Sequence, residues 1–472
     1  MEKVIHNMLL IFRSRLFLLV FPGVLFFVGC SPGQATPVTD LPTVSEATRI
    51  PMPTVTALLS GLRSPTSLPR STPLSSIKPS IGYTYHRADG NRYVAGSGAI
   101  DRLDPIDIPL VGEHEWLVAA SEGSGGVWVV VLGDGRTQGF RVTADGYEEV
   151  AVSPEQIQPG MPPALVVEDD QPKILVAPTS AASKLTHPVL LGPNSERTAF
   201  IENDGDLVIW EEGEIARLEV NALPDARLLT DEQGGLLLLT GPTGRYDHGV
   251  LGDGLEASAV TIVETQPLPG VSRTIAIPPP AVIEGIAPIW ADLNGDGSRE
   301  IIITVSDGSR GARLVIFNEA GEQISSGEPI GRGYRWRNQL AVAPFSPGGE
   351  LELVDVLTPH IGGSVEYFHL EGQSLELVAQ IPGYTSHVMG SRNLDMALSG
   401  DFDGDRGVEV LLPAQERTEL GAIIRTQDSA RVDWHLPVGG TVTTNLAAIS
   451  FLDGSIGLGV GRADGVLRLW VP

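Results

Sequence analysis

The sequence has little of two things, cysteine and positive charge. Cys30 is the only cysteine among 472 residues, so an intramolecular disulfide framework is excluded. Lys and Arg number 32 against 58 Asp and Glu, which gives a formal net charge of −26. Proteins that follow a phosphate backbone depend on clustered positive charge. The composition therefore predicts no nucleic-acid partner.

Two further absences concern helices and catalytic motifs. After residue 80 no long stretch of helical periodicity occurs, whereas short apolar runs bounded by Gly, Asp and Pro are frequent and predict strands. The sequence contains no Gly-x-Ser-x-Gly, His-Glu-x-x-His, phosphate-loop or Cys-x-x-Cys-His motif. We therefore expect an all-β chain. Whether the protein is an enzyme stays open, with a non-enzymatic role favoured.

Two short acidic loops are the most informative feature of the chain. They run from Asp292 to Glu300 and from Asp401 to Glu409, and each leads into an apolar strand. Both place oxygen-bearing side chains at positions 1, 3, 5 and 9. The predicted ligands are the side chains of Asp292, Asn294, Asp296 and Glu300 with the backbone carbonyl of Ser298, and those of Asp401, Asp403, Asp405 and Glu409 with the carbonyl of Gly407.

Hard oxygen ligands that converge in a tight loop suit Ca²⁺. Like charges about 4 Å apart repel by roughly 1 kcal/mol in water and about 4 kcal/mol at an effective dielectric of 20, and a divalent cation would remove that cost. An EF-hand would need a glutamate at position 12, where Ile303 and Leu412 stand. The alternative is a pair of solvated acidic turns, because Asn, Asp and Gly are common in turns without a metal. Matching spacing in two copies favours structural Ca²⁺.

Weaker copies of the loop-to-strand junction recur along the chain. From Asp292 the steps are 52 residues to Pro344, then 57 to Asp401 and 49 to Ser450. Periods of this size are typical of propeller blades. We predict a β-propeller of seven blades over residues 80–472, with six to eight allowed. The last unit supplies only three strands, so we expect the segment Tyr83–Leu110 to donate the fourth and close the ring.

The two acidic loops and the strands after them resemble the FG-GAP/VCBS repeats of integrin alpha subunits and many bacterial surface proteins. The resemblance covers residues 285–472, and residues 113–284 only by weak periodicity. It implies blades of four antiparallel strands with Ca²⁺ held in loops between strands. Two departures stand out: position 9 is Glu rather than Asp, and the unit at 344–352 has lost its aspartates, which puts calcium at that unit in doubt.

The N-terminal region predicts export. Basic residues precede an apolar stretch, Leu16–Val28, that is short for a membrane span. Phe27-Val-Gly-Cys30 resembles the lipobox of bacterial lipoproteins, which implies a signal peptide over 1–30, a lipidated Cys30 and attachment to a membrane on the cell surface or the periplasmic side. An ordinary signal peptide with a chance cysteine is the alternative. Residues 31–79 are rich in Pro, Ser and Thr, which predicts an extended linker.

Two groups of residues are candidates for a functional role on a propeller rim. Arg335, Trp336 and Arg337 could meet a glycan or a protein, or Trp336 could pack between blades while the arginines form ion pairs. His360 and His387 could meet on one rim and bind zinc or act in acid–base chemistry, although surface or turn histidines are the simpler interpretation. The leading hypothesis is a membrane-anchored, calcium-stabilised propeller that acts as a binding or scaffolding module. The alternative is an extracellular propeller enzyme acting on polysaccharide or phosphate esters.

Overall fold

A computed structural model describes residues 79–192 and 196–472. The predicted signal peptide, Cys30 and nearly all of the linker lie outside the described residues. Within the described part, eight sheets form, and the only helix is the short 3-10 segment Ile100–Arg102. No helix in these residues has the length and apolar character that a membrane crossing requires. The prediction of an all-β chain is confirmed.

The first four sheets are blades 1 to 4, numbered in chain order. Blade 1 consists of His114–Glu122, Gly125–Leu132, Thr137–Thr143 and Gly146–Val150. Blade 2 consists of Ala164–Glu168 and Gln171–Ile174, with Ser80–Tyr83 paired to the first of them. Blade 3 consists of Val189–Leu190, Thr198–Ile201, Leu207–Trp210 and Glu214–Leu218. Blade 4 consists of Leu229–Thr230, Leu236–Thr240, Ala259–Glu264 and Gly270–Ala276.

Blades 5 to 8 contain the repeats that the sequence marks best. Blade 5 consists of Val282–Ile283 and Ile289–Ala291, both paired to Glu300–Asp307, then Gly311–Asn318 and Gln323–Ser326. Blade 6 consists of Arg337–Ala343, Glu352–Leu357, Ser364–Glu371 and Ser374–Pro382. Blade 7 consists of Leu398–Asp401, Glu409–Pro413, Glu419–Arg425 and Ala430–Pro437, with Tyr93–Ser97 added in parallel. Blade 8 consists of Ala447–Ser450, Ile456–Arg462, Val466–Trp470 and Ile106–Pro109.

The blades close into a ring because apolar side chains fill each junction between neighbours. Leu117 and Trp128 of blade 1 pack with Ile449 and Leu469 of blade 8 in one buried cluster. Similar clusters join each of the remaining pairs of neighbouring blades. The outer strand of blade 8 is Ile106–Pro109, which pairs antiparallel with Val466–Trp470. The predicted closure by the segment Tyr83–Leu110 is therefore confirmed.

The ring has eight blades rather than the predicted seven, a count that lies within the predicted range of six to eight. The difference arises in the interval 161–222, which is only slightly longer than one repeat step of the second half of the chain but contains blades 2 and 3. Blade 2 contributes only two strands from this interval, and a third comes from Ser80–Tyr83. Because that strand lies far away in the sequence, the continuous stretch of chain that forms blade 2 is too short to be recognised as a repeat.

The segment 84–98, which we call the central strap, follows the inner side of the ring. Its backbone and one of its side chains hydrogen-bond to blades 4 to 8 in turn. These bonds are Thr230 N to Ala88 O (2.9 Å), Trp290 N to Asp89 O (3.0 Å), Asn91 Nδ2 to Val342 O (2.8 Å), Ser399 N to Arg92 O (2.9 Å) and Ser97 N to Gly454 O (2.9 Å). The strap thus links the inner strands of blades 4 to 7 and the first loop of blade 8, and the chain then continues to the closing strand.

A buried group of charges fixes the strap inside the ring. Arg92 of the strap and Arg227, which precedes blade 4, both donate to Asp395, which precedes blade 7, at 3.0 and 2.8 Å. All three are almost fully buried. Burial alone would raise the pKa of the Asp395 carboxyl, but the charges of Arg227 and Arg92 hold it below its ordinary value. Removing one member of such a group typically costs about 3–5 kcal/mol, because a buried charge is left unpaired.

Candidate metal centre

Strand alternation gives the ring two different faces. The loop between the inner and second strands of a blade lies on one face, which we call the loop face. The connection from one blade to the next, and the turn between the second and third strands, lie on the other, which we call the connection face. Both acidic loops lie on the loop face, one in blade 5 and one in blade 7. Each leads into a buried strand, Glu300–Asp307 or Glu409–Pro413, as predicted.

The blade 7 loop brings four carboxylates together. Asp401, Asp403, Asp405 and Glu409 each place a carboxylate oxygen within 4.8 Å of the others, and they are the only such group of acidic, His or Cys side chains among the residues described. The loop is shaped by its own backbone: Gly404 N donates to Asp401 Oδ1 at 2.7 Å, and Asp405 N donates to Asp403 Oδ1 at 3.0 Å. Gly404 has φ +85°, a conformation that glycine adopts without strain.

Glu409 is the member of this group that most requires a counter-charge. Its side chain is fully buried; Oε2 accepts a hydrogen bond from Phe402 N at 2.7 Å, and Oε1 has no hydrogen-bond partner among residues 79–192 and 196–472. Burial, together with the charges of Asp403, Asp401 and Asp405, raises the pKa of Glu409 to about 8. A buried, unpartnered carboxylate oxygen among three other carboxylates suits a hard divalent cation. The residues present therefore fit Ca²⁺.

The blade 5 loop is organised differently. Its carboxylates, Asp292, Asp296 and Glu300, are not brought within 4.8 Å of one another. Instead, Asn294 Nδ2 donates to Glu300 Oε1 at 3.0 Å and to Asp296 Oδ2 at 3.2 Å, while Leu293 N donates to Glu300 Oε2 at 2.8 Å. The hydrogen-bonding needs of the buried glutamate are met inside the loop. Ca²⁺ at Asp292, Asn294, Asp296, Ser298 and Glu300 stays a prediction that this geometry supports less.

The three residues predicted to contact a ligand lie on the connection face and differ in their exposure to solvent. Arg335 is exposed, and its guanidinium donates to Ile330 O at 3.2 Å. Trp336 is buried, packs with Val250, Leu251, Ile286 and Leu394, and donates from Nε1 to Glu284 O at 3.1 Å. Arg337 is buried and pairs with Asp355 and Glu366. Trp336 and Arg337 thus have the packing and ion-pair contacts of the alternative interpretation, and Arg335 is the exposed member of the three.

The connection face also holds His248 and Glu284, which the sequence analysis left out and which contact each other. On the same face, His360 Nε2 lies within hydrogen-bond distance of His387 Nδ1. The predicted meeting of His360 and His387 is confirmed, and Trp336 stacks on His360 with 5.9 Å between ring centroids. One signal for this region was present in the sequence: Glu284 interrupts the apolar run Val282-Ile-Glu-Gly-Ile286, where a carboxylate is costly to bury.

The comparisons with known proteins bear on the fold alone. No protein-family model matches the sequence, and no curated protein matches it. Among solved structures, a europium-containing methanol dehydrogenase is similar over 79% of this chain and 88% of its own, with a TM-score of 0.50 and 9% identity. The C-terminal WD40 domain of Sif2 is similar over 80% of this chain and 99% of its own, with a TM-score of 0.43 and 9% identity. The β-propeller class follows from the ring of sheets, and the first of these similarities agrees with it.

Proposed function

We propose that this β-propeller is a calcium-stabilised binding or scaffolding module, with its metal site in the blade 7 loop and FG-GAP/VCBS-type repeats in its second half. The observation that carries the proposal is the buried Oε1 of Glu409, which lies among the carboxylates of Asp401, Asp403 and Asp405 and has no hydrogen-bond partner in the described part of the chain. Ca²⁺ would supply positive charge to this cluster, and a backbone carbonyl such as that of Gly407 would complete the oxygen ligands.

The place of the loop explains how an ion there would stabilise the whole ring. Gly98 N donates to Asp401 O at 2.7 Å, and Ile100 N donates to Phe402 O at 2.8 Å. Arg102 also donates to Asp403 O. These bonds hold the segment between the central strap and the closing strand Ile106–Pro109. Fixing the blade 7 loop would therefore also fix the approach of the strand that closes the ring, leaving the connection face as a preorganised binding surface.

The test is thermal unfolding of the full-length protein with EGTA and with Ca²⁺. Extracellular calcium modules bind with a Kd of roughly 10⁻⁴–10⁻³ M, so millimolar Ca²⁺ should raise the midpoint. At about ten times Kd the expected gain is about 1.4 kcal/mol. Equal Mg²⁺ is the control, because Mg²⁺ demands shorter bonds and a stricter octahedral geometry. An unchanged midpoint in Ca²⁺ would count against the calcium site.

We propose further that the module works outside the cytoplasm, held to a membrane by a lipidated Cys30 and a linker over 31–79. The support is the basic and apolar N-terminal stretch that ends in the only cysteine of the chain, together with the acidic composition of the rest. Cys30→Ser should move the protein from the membrane fraction to the soluble fraction of the expressing cells. Equal membrane association of the variant and the parent would contradict the lipid anchor.

A further inference from the structure

The connection face carries a second group of buried carboxylates, remote from the acidic loops. Glu256 comes from the long turn between the second and third strands of blade 4, as do Tyr246 and His248. Glu284 directly follows the short strand Val282–Ile283 of blade 5. We call Tyr246, His248, Glu256, Glu284 and Tyr334 the connection-face cluster; the last of these comes from the connection between blades 5 and 6.

The two carboxylates are buried with little to neutralise them. Glu284 is fully buried and contacts His248 Nδ1 and Ser306 Oγ. Glu256 is 2% exposed, and none of the residues that the structure describes hydrogen-bonds to its Oε2. Within residues 79–192 and 196–472, no Arg or Lys forms an ion pair with either glutamate.

A neighbouring arginine is already engaged. Arg392 pairs with Asp225 at 2.8 Å and with Asp253 at 2.5 Å. Burial, and to a smaller extent the charge of Glu284, raises the pKa of Glu256 to about 9. Burial likewise raises the pKa of Glu284. Buried carboxylates are normally paired, and the ion-pair partner that the described residues give these two is the imidazole of His248 at Glu284.

A ligand that neutralised Glu256 and Glu284 together would be larger than a metal ion. One ion would need its ligand atoms close together, yet His248, Glu256 and Glu284 do not bring three ligand atoms within 4.8 Å of one another. A planar guanidinium or an alkylammonium carries several N–H donors and can reach acceptors that lie farther apart.

Aromatic rings lie beside His248, the residue that contacts Glu284. The ring of Tyr334 lies 5.1 Å from that of Tyr246 and 5.4 Å from that of His248, measured between centroids. Tyr334 is 56% exposed, so its ring is accessible at the surface next to these buried groups. Aromatic faces attract organic cations, most strongly where water is excluded. The exposed guanidinium of Arg335, beside it in sequence, is bound to Ile330 O.

We propose that the connection-face cluster binds an organic cation that bears N–H donors, with Glu256 and Glu284 as its counter-charges and Tyr334 as the ring that covers it. This inference rests on the proposed binding role and names the chemistry of the ligand. It does not depend on calcium, because the acidic loops lie on the loop face.

The experiment is isothermal titration of the full-length protein with N-butylguanidinium, and with N-butylurea as a neutral ligand of the same shape. The guanidinium should bind and the urea should bind at least tenfold more weakly. Glu256→Gln and Glu284→Gln should each weaken guanidinium binding at least tenfold, and Tyr334→Ala should weaken it a few-fold. The matched control is Glu328→Gln, an exposed glutamate on the connection between blades 5 and 6, which should bind as the parent does.

Two additional measurements keep the result interpretable. Glu256→Gln should unfold at or above the parental temperature, since it removes a buried carboxylate without a counter-charge, so lost binding could not be ascribed to unfolding. The tripeptide Ac-Ala-Arg-Ala-amide, compared with its citrulline analogue, distinguishes a cationic side chain of a protein from a free small cation; binding of either source supports the proposal. Equal binding of guanidinium and urea, or unchanged binding by both glutamine variants, would overturn it. A calcium-dependent rise in midpoint that persists in that case would leave the proposed metal site standing.

Discussion

The loops of blades 5, 6 and 7 each end in a buried glutamate, and the surroundings of that glutamate differ. In blade 5, the amide of Asn294 donates to Glu300. In blade 6, Arg425 from the neighbouring blade lies 3.4 Å from Glu352 and supplies a positive charge without a hydrogen bond. In blade 7, one oxygen of Glu409 has no partner within the part of the chain that the structure describes.

The comparison shows that spacing alone does not define a metal loop. An amide N–H group or a guanidinium of the protein itself can stabilise the buried glutamate, as a bound cation would in blade 7. The decisive position in the two acidic loops is the third, where Asn294 stands in one and Asp403 in the other. An asparagine there donates to the final glutamate, whereas an aspartate adds a fourth negative charge. We therefore expect the calcium dependence of the protein to reside mainly in blade 7.

The largest expected effect comes from removing a ligand in blade 7. Asp405→Ala should abolish most of the gain in unfolding temperature that millimolar Ca²⁺ gives the parent, a loss of about 1.4 kcal/mol at ten times the parental Kd. Asp296→Ala, the same change at the same position of the blade 5 loop, should retain most of that gain. Both side chains are exposed, so neither substitution leaves a cavity. Thermal unfolding with EGTA and with Ca²⁺ measures both.

The opposite order of calcium responses would contradict the proposed difference between the two loops. If Asp296→Ala lost the calcium response and Asp405→Ala kept it, the hydrogen bonds inside the blade 5 loop would not be a substitute for an ion. An equal partial loss in both variants would indicate two similar sites, as the spacing alone predicts.

The sequence predicts the repeats that are complete within one stretch of chain. Blades 5, 7 and 8 and the closing strand follow from loop spacing and strand length, as the strands Glu300–Asp307 and Ile456–Arg462 show. Blade 2 was missed because one of its three strands, Ser80–Tyr83, is distant in sequence. The central strap was missed for a related reason: its contacts with five blades depend on the ring being closed, and no local pattern encodes them.

The two candidate sites differ in the same way: one is formed by a single stretch of chain and the other by segments that are distant in sequence. The carboxylates of blade 7 converge because they belong to one nine-residue loop, which the spacing reveals. The connection-face cluster assembles from segments that include Glu256, Glu284 and Tyr334, which belong to three different connections or turns. Nothing in the spacing of such residues predicts that they meet. Only the unusual position of Glu284 in an apolar run indicates a special environment.

A smaller effect is expected from converting the blade 5 loop into a copy of the blade 7 loop. Asn294→Asp removes the amide that donates to Glu300 and adds a fourth carboxylate. Without Ca²⁺ the variant should be less stable than the parent by about 1 kcal/mol, because an acceptor of a buried glutamate loses its donor. With Ca²⁺ it should gain more stability than the parent does, since the blade 5 loop now offers the same ligand set as the blade 7 loop.

Asn294→Ala is the control that removes the amide without adding a charge, and it should lose stability with no added calcium response. If Asn294→Asp and Asn294→Ala responded to Ca²⁺ alike, the third position would not decide metal binding, and the difference between the two loops would have to lie in their backbones.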